Sequence, residues 1–248
     1  MKSIDLNADV GEGFDDAPLL PFVSSVNIAC GAHAGDDATM RRTIDLALPH
    51  RIAIGAHPGW DDPEQFGRRE LAMPLLELRS SVRAQIERLA AHVARAGGAL
   101  HHVKPHGALY NQASIDARLA RAIVDGVRDV DARLVLVGRS GSALLTVGAT
   151  AGLRVASEVF ADRQLEDDGT LTPRSIPGAC IDDPHFAAAR VLRMVETGTV
   201  ASRTGAIVSV RADSVCLHGD RPDAAAFARH VKAALEAGGL RIAIAEGA

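Results

Sequence analysis

The sequence predicts a parallel α/β barrel built as one domain over residues 1–248, irregular and most simply seven-stranded. Three observations carry this expectation. Short apolar runs rich in β-branched residues recur along the chain, amphipathic segments separate them, and no Pro/Gly/Ser-rich linker or shift in composition interrupts the alternation. Strand-then-helix repeats of this kind make a parallel sheet with helices packed outside it. An open, doubly wound sheet is the alternative, but the first run leads into "DVGEGFDD" rather than G-x-G-x-x-G, which favours closure.

The strands are expected at 3–8, 25–30, 51–56, 99–103, 133–138, 154–160 and 214–218, with a further run at 240–245. Their lengths and near-continuous apolarity suit buried strands. Among the helices, one places Leu75, Leu78, Val82, Ile86, Leu89 and Val93 three and four apart, with Pro74 at the first turn and Gly97 and Gly98 at the end. Another runs from Pro184 to Gly198 behind the capping candidate Asp183, with Ala187, Val191 and Met194 on one face. A third follows Asp220 and Pro222 and carries Phe227, Val231 and Leu235 to Gly238 and Gly239. Residues 161–183 are too polar and too long for an ordinary connection, and they are expected to form an active-site flap rather than a loose surface excursion.

Composition narrows the function. A chain of 248 residues with 47% hydrophobic and 23% charged residues reads as a soluble globular protein. The net charge is −4, and all but three of the 27 basic residues are arginines without a run, so there is no electrostatic footprint for nucleic acid. Only Lys2, Lys104 and Lys232 are lysines, none within G-x-x-x-x-G-K, so no P-loop cradles a nucleotide. Cys30, Cys180 and Cys216 lack C-x-x-C spacing and suit a reducing compartment. Asp5 and Asp9 interrupt any signal-peptide core, and the uncharged stretch 17–35 is broken by Pro18, Pro21, Asn27, Gly31 and His33, so no membrane span is read. A cytoplasmic protein is expected.

In a parallel barrel the polar residues just after the strands gather at one mouth. Here those are Asn7 and Asp9 after the first strand, His33 and Asp36 after the second and His57 after the third. Lys104 and His106 follow the fourth, Glu158, Asp162 and Arg163 the sixth, and His218 and Asp220 the seventh. His33, His57, His106 and His218 are each followed within two positions by glycine, which lets the backbone turn tightly and a ligand approach. His50, His92, His101, His102, His185 and His230 lie in helical or strand patterns and read as surface or structural residues. Arg68 and Arg69 in "QFGRRE" suit either an anionic substrate or a solvated loop.

Carboxylates, imidazoles and a lysine without a serine nucleophile elbow favour attack by activated water. Asp or His serves as base, Lys104 stabilises a developing oxyanion, and a second imidazole protonates a departing nitrogen. Asp9, His33 and His57 alternatively suit a divalent metal, although their spacing matches no zinc motif.

At these residues the sequence resembles a known family. "DLNADVGEGF", "VNIACGAHAGD", "IGAHPGWDDPEQFGRRE", "HVKPHGALYN", "EVFADR" and "HGD" are similar, in order, to the family of 5-oxoprolinase A subunits, also called LamB/YcsF. The resemblance implies a barrel of the glycoside hydrolase/deacetylase type. It also implies ATP-dependent opening of 5-oxo-L-proline to L-glutamate, with ATP as co-substrate and subunits B and C as partners. Asp9, His33, His57, Lys104, His106, Glu158, Asp162 and His218 carry over as catalytic candidates and Arg163 as a substrate-binding one, beside Asn7, Arg68 and Arg69, which the strand-end and loop positions above offer for substrate binding. Ala8 and Ala32 stand where many members carry cysteine and a larger residue, which is expected to reshape the pocket. The competing readings are a metal-dependent deacetylase on the same barrel and a non-catalytic subunit that presents ligand to its partners. Metal content distinguishes the first, and assay of the partners with and without this chain the second.

Overall fold

A computed structural model of the chain describes residues 2–218 and 223–247. Asp220 and Pro222, expected at the last strand end and helix start, lie outside the described residues. Seven parallel strands close into a barrel among the described residues: β1 (Ser3–Val10), β2 (Ser25–Ala29), β3 (Ala53–His57), β4 (Leu100–Val103), β5 (Val135–Arg139), β6 (Arg154–Phe160) and β9 (Ser214–His218). Each pairs with the next, and β9 returns to β1 through registers that set Asp9 beside His218 and Asp5 beside Ser214. The expected seven-stranded parallel barrel is therefore the fold.

Two details were not legible in the sequence. A small antiparallel hairpin, β7 (Thr199–Ala201) with β8 (Ile207–Ser209), intervenes before β9; three-residue strands are too short to display a period of two. The run expected at 240–245 yields only β10 (Arg241–Ile242), which pairs with Ser3 and Ile4 outside the closed barrel. From Asp5 onward that edge of β1 is already bonded to β9.

The connecting helices are α1 (Asp37–Ala47), α2 (Leu75–Arg95), α3 (Gly107–Ile115), α4 (Ala117–Val130), α5 (Ala143–Thr150), α6 (Pro184–Thr197) and α7 (Ala224–Ala237). Asp36 caps α1 by accepting from the Thr39 amide, and Asp183 caps α6 through the His185 amide, as expected of it. Such caps contribute about 1 kcal/mol each. The apolar stripe of α2 is buried at Leu78, Val82, Ile86, Leu89 and Val93, and it packs on α4.

The main core lies between barrel and helices. Ile4, Leu6, Ala8 and Val10 of β1, Val26 and Ile28 of β2 and Val215 and Leu217 of β9 are buried in it together with the helix stripes. Burying each large aliphatic side chain stabilises the fold by roughly 1.5–3 kcal/mol. Ala8 belongs to this outward-facing set and does not line the cavity, so its departure from the family pattern does not reshape the pocket directly.

Alternation along each strand sends the other set inward. Asp5, Asn7, Ser25, Asn27, His102, Lys104, Glu158 and Ser214 fill the barrel, all buried. Branched aliphatic layers usually occupy this place, so the polar filling must be internally satisfied. Asp5, near the amino-terminal ends of the strands, accepts from the hydroxyls of Ser24, Ser25 and Ser214. His102 donates through Nε2 to Asn27 at 2.9 Å. A Cβ at Gly55 would stand 2.2 Å from that nitrogen, so bare backbone on β3 makes room for the imidazole.

Candidate active site

The carboxyl ends of the strands open on one cavity of about 480 Å³, lined among others by Asp9, Glu12, His57, Lys104, His106, Tyr110 and His218. Its size falls in the range of small-molecule sites. Strand ends deliver most of these side chains: Asp9 ends the inward row of β1, His57 terminates β3, Lys104 follows β4, and His218 terminates β9.

Lys104 sits at the centre of the floor. Its ammonium donates to Asn7 Oδ1 at 3.1 Å, Asp9 Oδ1 at 2.9 Å and Cys216 at 3.2 Å, and lies 2.8 Å from Glu158 Oε1. Burial opposes the charge, but Asp9, Cys216 and Glu158 override it and keep the pKa well above the usual lysine value. Burial likewise opposes the Asp9 carboxylate, while His57 and Lys104 hold it well below the ordinary range. Asp9 and Lys104 are thus a charged pair at neutral pH.

Glu158 and Asn7 lie under the floor rather than at the cavity surface. Glu158 accepts from Asn7 Nδ2 at 2.9 Å and the Tyr110 hydroxyl at 2.6 Å, and Asn7 also bonds Asn27 and Ser214. Neither lines the cavity; their reach is to Lys104, which they hold in place. The substrate-binding role expected of Asn7 has no exposed polar atom to act through.

The histidines form two groups. Nδ1 of His57 donates to the Lys104 carbonyl at 2.7 Å, and Nε2 of His106 donates to the Phe66 carbonyl at 2.9 Å. His106 Nδ1 then stands 3.0 Å from His57 Nε2 and 3.2 Å from Glu12. His33 stacks on His106 with ring centroids 3.7 Å apart and reaches Glu12 through Nε2 at 3.1 Å. Burial lowers the His33 pKa to about 4 against the pull of Glu12. His218 stands apart, with Nδ1 2.8 Å from Asp162. Burial opposes the Asp162 carboxylate, yet the His218 imidazole holds its pKa below the usual value.

Glycine shapes this packing. At Gly107, φ is +53°, and a Cβ there would stand 2.7 Å from the Gly67 carbonyl. The residue after His106 must therefore be glycine to bring the turn this close.

The arginines divide. Arg68 and Arg163 line the cavity, together with Arg139 and Arg174. Arg69 turns to Asp62 at 3.0 Å, is largely exposed, and does not line it; the substrate-binding expectation thus falls on Arg68 rather than its neighbour. Residues 161–183 contribute Arg163, Thr170, Leu171, Pro173 and Arg174 to the wall and are tied down by bridges between Arg163 and Cys180 and between Leu165 and Leu171. Glu12, Tyr110, Arg139 and Arg174 were missed in the sequence. Glu12 and Tyr110 lie within the blocks "DVGEGF" and "HGALYN", and Arg139 ends the fifth strand, whose end the strand-end rule would have reached. Arg174 carried no local signal.

A closed parallel (β/α) barrel with imidazoles, acids and one lysine converging on its carboxyl-end mouth is the architecture of a barrel enzyme whose chemistry sits at one rim. Within that class, the chain belongs to the LamB/YcsF family, whose sequence model matches residues 4–248. It is 50% identical over 252 residues to the A subunit of 5-oxoprolinase from Methylococcus capsulatus, covering 99% of this chain and 97% of that one. To the corresponding 5-oxoprolinase chain of Geobacillus kaustophilus it is 51% identical over 247 residues, covering 98% and 96%. The crystal structure of the lactam utilization protein from Thermus thermophilus matches with a TM-score of 0.91 at 44% identity, covering 98% of this chain and 99% of that chain.

Proposed function

We propose that this chain is the A subunit of an ATP-dependent 5-oxoprolinase and opens the lactam of 5-oxo-L-proline to L-glutamate together with subunits B and C. The observation that carries the reading is the cavity lined by Asp9, Lys104 and His218, with Asp162 bonded to His218 behind it, in a chain whose full-length relatives bear that subunit's name.

The substrate carboxylate is held by cavity arginines, Arg68 and Arg163 with Arg139 and Arg174. Planar guanidinium groups suit a carboxylate. The Lys104 ammonium stabilises negative charge as water adds to the lactam carbonyl carbon. His218, fixed by Asp162 through Nδ1, takes the proton from that water through Nε2 and returns it to the ring nitrogen as the C–N bond breaks. Asp9 keeps Lys104 charged, and residues 161–183 close as a flap.

A five-membered lactam re-closes easily, so coupling to ATP drives the reaction towards the open form. ATP is handled with the partner subunits: its terminal phosphoryl group passes to the lactam oxygen and ADP leaves, water adds to the activated carbon, the C–N bond breaks, and the acyl phosphate that results is hydrolysed to glutamate and phosphate; this chain has no G-x-x-x-x-G-K. Cytoplasmic residence agrees with Cys30, Cys180 and Cys216 all being free. Among the described residues no helix is long and apolar enough to cross a membrane.

The test is turnover of 5-oxoproline to glutamate by the chain mixed with subunits B and C and ATP. Glutamate formation that requires this chain and is lost in His218→Gln supports the reading. Equal turnover without the chain overturns it.

A further inference from the structure

We propose that Glu12, His33, His57 and His106 form a binding site for a zinc-like divalent transition-metal ion at the wall of the cavity. Each of the four offers one ligand atom within 4.8 Å of the others, and their contacts run through Glu12 Oε1, His33 Nε2, His57 Nε2 and His106 Nδ1.

Tautomers make the argument. A carbonyl oxygen only accepts, so the contact between His57 Nδ1 and the Lys104 carbonyl puts the hydrogen on Nδ1. The contact between His106 Nε2 and the Phe66 carbonyl does the same for Nε2. In the neutral form that a metal ligand takes, each ring has a lone pair on its other nitrogen, and these two nitrogens face each other at 3.0 Å. Glu12 brings a third acceptor, 3.2 Å from His106 Nδ1 and 3.8 Å from His57 Nε2. A divalent cation between them would pair all of these acceptors at once.

A shared proton is the rival, but a proton bridges two atoms and here four converge. Ligands about 2.0–2.1 Å from a tetrahedral ion stand ~3.3 Å from one another, and the separations of 3.0, 3.1, 3.2 and 3.8 Å lie around that value. The carbonyls of Lys104 and Phe66 also match the outer partners that orient metal-binding imidazoles. Three imidazoles and one carboxylate select a borderline ion such as Zn²⁺ over Mg²⁺ or Ca²⁺. Asp9, considered as a ligand from the sequence, has its Oδ1 occupied by Lys104 and Asn27 and, of the three imidazoles, reaches only His57, through Oδ2 at 3.3 Å; Glu12 reaches all three. The hydrogen on His33 is set by no carbonyl, and its Nδ1 is buried without a partner, so the hydrogen can sit on Nδ1 when Nε2, 3.1 Å from Glu12, takes the ion.

The experiment reads metal on the isolated chain, independently of lactam turnover. The chain is stripped with a chelator and dialysed against Zn²⁺ or Co²⁺, then measured by elemental analysis, thermal melting and visible absorption. One ion per chain, a raised melting temperature and the absorption of four-coordinate Co²⁺ are expected. Glu12→Gln and His33→Asn, each checked for fold by circular dichroism, should weaken binding about tenfold or more. Failure of the folded parent to retain either ion, or retention by both variants with unchanged affinity, overturns the site. Metal binding without glutamate formation would sink the proposed activity while leaving this site in place.

Discussion

Nδ1 of His218, at the end of β9, lies 2.8 Å from the Asp162 carboxylate, while the cluster around His57 gathers at the end of β3. The acid fixes the tautomer with the hydrogen on Nδ1, and Asp9, Cys216 and His218 each bring one polar atom within 4.8 Å of the others. Because this pair carries the proposed proton transfer, His218→Gln should lower kcat by about 10²–10⁴. Asp162→Asn should act in the same direction by freeing the wrong tautomer. Glutamate release in the presence of the partner subunits measures both, and full activity in His218→Gln would remove the assignment.

Lys104 is the counter-ion of two buried acids, so its loss should be felt in stability as well as activity. Lys104→Met leaves Asp9 and Glu158 without their cation and should cost about 3–5 kcal/mol. Lys104→Arg should not restore the parent, because a forked guanidinium does not fit the space of a compact ammonium between Asn7, Asp9, Glu158 and Cys216. Urea denaturation of the three proteins provides the comparison.

Asp16 gives a pH signature in the loop that carries Glu12. Its carboxylate accepts from the Gly11 amide at 2.8 Å, yet burial raises its pKa to about 6 despite that bond. The folded value lies above the unfolded one, so the contribution to stability is complete below about pH 4 and is lost as pH rises through about 6. Asp16→Asn keeps an acceptor for Gly11 and removes the ionisation. It should stabilise the chain by about 1–3 kcal/mol at pH 7.5 and by little at pH 4. Equal denaturation midpoints for parent and variant at pH 7.5 would contradict this.

Two glycines with positive φ separate strain from collision. Gly107→Ala places a methyl 2.7 Å from the Gly67 carbonyl at φ +53°, so it should cost more than the backbone strain of about 1–3 kcal/mol and displace His106. Gly97→Ala, at φ +80° with open space around the new methyl, should cost the strain alone. Thermal melting of the two variants, with turnover measured alongside, tests the difference.

The strand ends were readable because each βα unit runs in the same direction. That is why Asp9, His57, Lys104, His106 and His218 could be assigned to one rim before any coordinates, and they do line one cavity. The inward row was also written in the sequence, as polar residues two apart at Asp5, Asn7 and Asp9 and again at Ser25 and Asn27. Reading those runs as apolar throughout hid it. The division of Arg68 from Arg69, and the place of Glu12, depend on loop paths that no local period encodes.

By itself, then, the sequence determined the order of strands and helices and the rim at which the chemistry gathers, because hydrophobic period and chain direction are local properties. Only the tertiary structure decided which polar residues meet the cavity and which lie beneath it. It also decided where the barrel closes and which four atoms surround a common point. Those outcomes follow from the register of β1 against β9 and from side chains distant in sequence competing for one enclosed space, and such competition is settled only when the barrel shuts.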